Sequence, residues 1–416
     1  MKILIVNTYD TLGGAARAAY RLHKALQSIG ITSQMLVQTK VSDDPTILGP
    51  EKKLEKFINL KRPELDAFPL RFYKYKKESL FSPSWLPFTN IINKINASDA
   101  DIVHLHWIAN GMINIKDISR IKKPIVWSLH DMWAFSGGCH YDTCCGKYAT
   151  HCNMCPLLGA TNKNDLSYHV FEKKMKYLTK IQSLTIVGLS RWISECAGKS
   201  PLLAGREIVN LPNPLDSQVF RPIKKDLARD LLNLPFNKNL VLFGADNAIL
   251  DSRKGFSKLT AALHSLKSTD IELVVFGSGP LLNSLNFDYP VHHFGYMPGD
   301  LSLRILYNAA DVMVMPSIQE NLANTIMESL ACGTPVVAFD IGGNRDMIDH
   351  QKNGYLAEPF SPTSLAKGID WVLNYTLPQE LSHNARQKVI ERFDSRKVAE
   401  QYLGLYQKIV EKVLLD

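Results

Sequence analysis

Residues 317–343, SIQENLANTIMESLACGTPVVAFDIGG, leave the chain few ways to fold. A loop carrying Glu320 runs into a helical pattern of about twelve residues, which Gly333-Thr334-Pro335 ends. Val336 to Phe339 follow as a continuous apolar run, the mark of a parallel strand covered on both faces. Loop, helix and buried strand in that order belong to an α/β sheet. Two acids sit in the stretch, Glu320 near the helix start and Glu328 further along it. Eight positions turn a helix by roughly 80°, so both carboxylates look toward one cleft. Ala323, Asn324 and Thr325 occupy the first turn, where unbonded backbone N–H groups and the helix dipole favour an anion. Two glutamates on a helix are ordinarily a solvated face; here they flank an anion cradle.

This pattern resembles the E-x7-E signature of retaining GT-B glycosyltransferases of family 4. The run ESLACGTPVVAFDIGG is similar to that family's acidic helix, its ACG-x-PVVA strand and its closing GG turn. The resemblance implies an α/β fold of GT-B type, two Rossmann-like domains facing each other across a cleft. It places Glu320 at the transferred sugar and Glu328 on the ribose hydroxyls of the nucleotide. Leu322-Ala323 stands where the family carries an aromatic–glycine pair, a departure that bears on how the loop meets the sugar.

A chain of 416 residues is longer than one hydrophobic core usually supports, so two domains are expected. With 45% apolar and 21% charged residues the composition is that of an ordinary globular protein. No apolar run is long enough to cross a membrane, and the opening MKILIV reads as a first strand rather than a leader. The expected location is cytoplasmic, with contact at the inner membrane face as an option. A net charge of +8 is too diffuse to argue for nucleic acid. Between residues 51 and 77, however, nine Lys/Arg face four Asp/Glu, interleaved with Phe57, Phe72, Tyr73 and Tyr75. This is either a solvated helical face or a surface that rests on anionic lipid or an anionic acceptor. The resemblance favours the second, since such enzymes extend lipid-linked glycans.

In the N-terminal half, residues 2–8 form a buried strand and Gly13-Gly14 open a helix. Strand, glycine turn and helix aim backbone N–H groups at a phosphate, but a third glycine is missing, which disfavours NAD. The resemblance puts Gly13 and Gly14 beside the donor phosphates and the acceptor. DIVHLHW and PIVWSLHD are two more strands with histidines toward the carboxyl edge, where open α/β sheets bind ligands. His130 resembles the family's strand-end histidine beside the transferred sugar; His104 and His106 read as structural. Five of seven cysteines crowd into GGCHYDTCCGKYATHCNMCP. Cys152 and Cys155 suit two ligands of a structural zinc, and Cys139 with Cys145 or Cys144 would complete it, Cys145 being preferred. Some family 4 sequences resemble this stretch. A closed four-ligand site would pin the loop beside His130; disulfides are the alternative. NLPNPLD is a linker, giving an acceptor-side domain over 1–212 with its Cys-rich insert at 139–155. A nucleotide-sugar domain spans 213–395, and 396–416 is expected to cross back onto the first.

The C-terminal half begins a second alternating series at LVLFGAD. Arg253-Lys254-Gly255 resembles the family's Arg-Lys-Gly, whose cations stabilise a departing nucleoside diphosphate without a metal. Ala245-Asp246 replaces the family's other arginine. Gly277 ends the strand of IELVVFGSG in a turn open to the nucleotide. The implied activity is retaining transfer from a UDP- or GDP-sugar to a hydroxyl of a glycan or lipid-linked glycan in cell-surface polysaccharide biosynthesis, with no catalytic cofactor. A nucleotide-sugar epimerase of the same fold, or a non-catalytic nucleotide-sugar-binding assembly protein, is the alternative.

Overall fold

The computed structural model describes residues 1–74, 76–77, 79–87, 89–244, 251–266, 270–278, 289–297 and 299–415. Ala245-Asp246 and Tyr75 lie outside them. The chain divides into two compact units, Met1–Pro214 with Arg396–Asp416, and Leu215–Ser395. Among the described residues no helix is long and apolar enough to cross a membrane.

The first unit is built on a seven-stranded sheet. Its strands are β1 (Lys2–Tyr9), β2 (Thr32–Thr39), β3 (Ile47–Leu48), β4 (Ile102–Leu105), β5 (Ile125–Leu129), β6 (Leu184–Gly188) and β7 (Glu207–Asn210). They pair in the order β3-β2-β1-β4-β5-β6-β7, all parallel. β4, β5 and β6 are buried along their whole length, which is why they read as largely apolar runs, with His104, Ser128 and Thr185 the polar exceptions. The order reverses between β1 and β4, so the carboxyl ends of those strands flank the crevice where such sheets take ligands. Gly13, at φ +85°, caps the helix Gly14–Ser28 that follows β1. The last helix, Ser395–Leu415, seals the unit with two buried tyrosines. Tyr406 Oη lies 2.7 Å from His104 Nδ1, and His104 Nε2 lies 2.8 Å from Ser128 Oγ.

The second unit carries a six-stranded sheet of β8 (Asn239–Gly244), β9 (Ile271–Phe276), β10 (Val291–His293), β11 (Val312–Met315), β12 (Val336–Phe339) and β13 (Gly354–Ala357). All pairs are parallel, in the order β10-β9-β8-β11-β12-β13, and the reversal falls between β8 and β11. Both units are therefore Rossmann-like, and the fold class is α/β of GT-B type. One local expectation is corrected. The helix before β12 is Asn324–Ala331, 8 residues instead of about twelve. Ala323 is extended (φ −70°, ψ 118°), because the chain before it is held elsewhere. Gly343 N–H donates to the Glu320 carbonyl at 3.2 Å, which fixes the loop outside the helix.

The buried His104–Tyr406 contact sets a stability test. Tyr406→Phe strips His104 Nδ1 of its partner and is expected to cost roughly 1–2 kcal/mol, read as a lower urea midpoint. An unchanged midpoint would show that the tail helix does not depend on this bond.

Candidate functional site

In the second unit the site grows from two backbone approaches. Gly255 has φ +72°, and a Cβ there would lie 1.8 Å from the Pro316 carbonyl oxygen. Ile318 N–H donates to the Arg253 carbonyl at 2.8 Å, so the Arg253-Lys254 turn docks against the loop leaving β11. Gly342, at φ +51°, would place a Cβ 1.9 Å from the Glu320 carbonyl oxygen, so the GG turn after β12 closes on the same loop.

These contacts bring Glu320 to the two cations. Lys254 Nζ donates to Glu320 Oε2 at 2.9 Å, and Arg253 Nη1 stands 3.5 Å from the same oxygen. Arg253 also pairs with Asp251 at 2.9 Å and donates to the Gln319 carbonyl at 3.2 Å. Burial works to raise the Glu320 pKa, but the charges of Lys254 and Arg253 outweigh it and hold the carboxyl below its usual range. Glu328 sits buried within the helix, and the Tyr307 hydroxyl donates to its Oε2 at 2.8 Å. Tyr307, itself fully buried on the helix Gly299–Ala309, carried no motif that sequence reading could use. Ala323 caps the helix that Asn324 and Thr325 begin. Gly277, at φ +120°, ends β9, and its N–H donates to the Gly295 carbonyl at 2.7 Å.

In the first unit, His130 leaves the end of β5. Its Nε2 lies 2.8 Å from His106 Nδ1, and both rings line a cavity big enough for about one water, beside Trp107 and Asp131. Burial lowers the His130 pKa to about 4 and pushes His106 well below its ordinary value, so the pair is neutral at pH 7. The alternation of His104 and His106 along the chain was the available signal that both join one network. His104 faces Tyr406 and Ser128, whereas His106 is the one that meets His130.

Next to His130, Asp131 is a hub. It accepts from Trp107 Nε1 at 2.8 Å and from Trp133 N–H at 2.8 Å, and it pairs with His140 Nδ1 at 2.6 Å. Burial opposes its ionisation, yet His140 and these donors keep its pKa low. The turn that follows is held by Lys174, wholly buried, which donates to the carbonyls of Trp133 and Ser136.

The cysteine stretch packs beside this turn. Cys139 and Cys155 lie in an apolar cluster with Leu70, Phe81, Leu157 and Leu158, and Cys152 packs on Phe171 and Leu202. Cys145 is half-buried and Cys144 exposed; all seven cysteines are free thiols. Burial pushes the Cys152 thiol up to about 12, and Gly137 N–H donates to its sulfur at 3.2 Å. Among the described residues no three His, Cys, Asp or Glu side chains are placed to hold a metal ion. The four thiols expected as zinc ligands are thus not gathered into such a group; desolvation favours their neutral form.

The buried neutral histidines tie stability to pH. His104 and His23, both fully buried, have pKa values lowered by burial to about 3 and about 4. Unfolded, they take up protons below about 6.5, which the folded state refuses. Their contribution is intact above that pH and is lost as pH falls toward the folded values. Between pH 6.5 and 5 each is expected to remove on the order of 2 kcal/mol. Urea midpoints at pH 7.5 and 5 would reveal this, and equal midpoints would contradict it.

Comparison with known proteins follows the same division. Residues 229–391 match the glycosyl transferases group 1 family. An uncharacterised glycosyltransferase of Methanocaldococcus jannaschii is 27% identical over 326 residues, 75% of this chain and 76% of that protein. The UDP-Gal:alpha-D-GlcNAc-diphosphoundecaprenol alpha-1,3-galactosyltransferase of Escherichia coli is 24% identical over 48% of this chain, which spans 54% of that enzyme. In fold, the chain is similar to the sucrose-phosphate synthase of Thermosynechococcus elongatus (TM-score 0.69, 18% identity, 99% of this chain and 100% of that one). It is likewise similar to HepE of Anabaena, solved with UDP and glucose (TM-score 0.67, 15% identity, 98% and 99%). With a second unit that matches over most of its length and two Rossmann-like sheets of the GT-B kind, the chain carries a glycosyl transferases group 1 domain and is a glycosyltransferase.

Proposed function

We infer that this chain transfers a sugar, with retention of configuration, from a UDP- or GDP-sugar to a hydroxyl of a glycan or lipid-linked glycan in cell-surface polysaccharide biosynthesis. The observation that carries the reading is the buried Glu320 carboxylate held by Lys254 and Arg253 beyond the carboxyl end of β11. Two cations balanced by two carboxylates, Glu320 and Asp251, can turn to a nucleoside diphosphate as it departs. Arg253 and Lys254 hold the diphosphate, with the first-turn amides of Ala323, Asn324 and Thr325 beside it. Glu328 takes the ribose hydroxyls, its carboxylate oriented by Tyr307. Gly277 leaves room for the nucleotide at the end of β9. Glu320 and the neutral His130 orient the sugar, and Gly13 and Gly14 border the phosphates and the acceptor. The leaving phosphate itself accepts the proton of the attacking hydroxyl, so no group on the chain needs to form a covalent bond to the sugar. HepE was solved with UDP and the E. coli relative is named for UDP-Gal, which supports a uridine donor ahead of a guanosine one.

The test is a thermal-shift titration against UDP, GDP, ADP and their sugar conjugates, since a ligand of the folded state raises the melting temperature in step with its affinity. One nucleotide family is expected to stabilise the chain selectively. Lys254→Ala and Glu328→Ala are each expected to weaken that nucleotide by roughly 10- to 100-fold. If no nucleotide shifts the wild-type melting temperature, or if Glu328→Ala keeps full donor affinity and transfer, the donor assignment is wrong.

A further inference from the structure

The helix Lys53–Asp66 is attached to the first unit in an unusual way. A surface helix ordinarily buries its apolar stripe and turns its polar side outward. Here the only side chains fully buried are Arg62 and Asp66. Arg62 Nε donates to the Gly111 carbonyl at 2.6 Å and Nη2 to the Pro87 carbonyl at 3.3 Å. Asp66 accepts the N–H groups of Ser84 and Trp85, each at 3.2 Å. Asn59 donates to the Gln38 carbonyl at 2.9 Å, and Glu55 pairs with Lys94 at 3.0 Å. The helix is held down by its polar residues.

Its apolar residues point the other way. Leu54, Phe57, Ile58 and Leu65, with Lys61 among them, fall within about 100° of helical arc. Leu54 is 69% exposed and Phe57 61%, and Phe72, in the turn just beyond, is 76% exposed. Phe68 packs edge-on against Phe72 at 5.8 Å and is exposed too. Among the described residues nothing covers the stripe, and a contiguous exposed apolar face of this kind marks a contact surface. Its rim selects the partner. Between residues 51 and 77 stand nine Lys/Arg and four Asp/Glu; the buried Arg62 and Asp66 aside, eight exposed cations face three acids. A peripheral protein groove of mixed charge does not call for so one-sided a rim, whereas an anionic lipid interface does.

We propose that the helix Lys53–Asp66 and the turn through Phe72 dock this unit on an anionic lipid surface. Leu54, Phe57, Ile58, Leu65 and Phe72 enter the boundary between headgroups and acyl chains. Lys52, Lys53, Lys56, Lys61, Arg71 and Lys74 lie at the headgroup level, with Lys61 reaching past the apolar stripe to its phosphates. The inference goes beyond the donor reading and stands without it, because it rests only on this helix and the turn that follows it.

The experiment is co-sedimentation of the full chain with vesicles of phosphatidylcholine alone or mixed with phosphatidylglycerol, at low and high salt. The wild type is expected to pellet with the anionic vesicles and to be released in part by salt. Leu54→Ser/Phe57→Ser is expected to lower that partition by roughly tenfold or more while leaving the melting temperature unchanged, since neither side chain packs inside the unit. A wild type that stays in the supernatant with both vesicle types overturns the proposal, as does a double variant that partitions like the wild type. Self-association of the wild type that the double variant abolishes, without vesicle binding, also overturns it and assigns the face to a second copy. Nucleotide thermal shifts on the same variant in vesicle-free buffer report on the donor site separately.

Discussion

Two close backbone approaches decide what the second unit can do. Gly255 admits the carbonyl of Pro316, and Gly342 admits the carbonyl of Glu320, at distances where any Cβ would collide. Both glycines also sit in the left-handed region that other residues avoid. The segment from Pro316 to Glu320 is therefore clamped between the Arg253-Lys254 turn and the GG turn after β12. Its consequence is local and chemical. The backbone places the Glu320 carboxylate where Lys254 and Arg253 already are, and the helix that would otherwise have absorbed residues 321–323 begins later, at Asn324.

The two units handle buried ionisable groups in opposite ways. Around Glu320 the cost of burying a charge is offset by two cations, and the carboxylate stays ionised. Around His104, His106 and His130 there is no such compensation among the three rings, and burial strips their protons. A neutral imidazole both donates and accepts, so His104 can pass a hydrogen bond between Tyr406 and Ser128. Asp131 follows the first strategy, fixed by His140, Trp107 and Trp133. The charged arrangement suits a ligand that brings its own negative charge; the neutral one suits a ligand made of hydroxyls.

The fold was legible because its strands are buried on both faces. Val336 to Phe339 is a continuous apolar run and Ile125 to Leu129 one broken only by Ser128, and β12 and β5 lie on them. The helix before β12 read too long, since periodicity cannot see that Gly343 holds the Glu320 carbonyl outside it. Motif spacing located Glu320, Arg253 and Lys254 separately, but their pairing depends on the backbone at Gly255, a contact between segments more than sixty residues apart. Tyr307 was invisible because a tyrosine on an amphipathic helix looks like any other core residue. The cysteine spacing suggested a metal; sequence spacing does not encode that Cys152 and Cys139 enter different apolar clusters.

The stretch from residue 51 to 77 shows what composition alone leaves undecided. A basic segment with scattered aromatics fits a solvated helix as well as a docking face, because both expose their cations. The two differ in where the apolar side chains go and what fastens the helix. A solvated helix buries its stripe and is fastened by it. This helix is fastened by Arg62, Asp66, Asn59 and Glu55, so its apolar stripe is not needed for attachment. Polar anchoring also keeps the helix in place when the chain is alone in water, where an apolar stripe by itself would pull the segment inward. An exposed stripe that survives folding in this way is preorganised for a surface outside the chain, and it meets that surface with no ordering of the helix left to do.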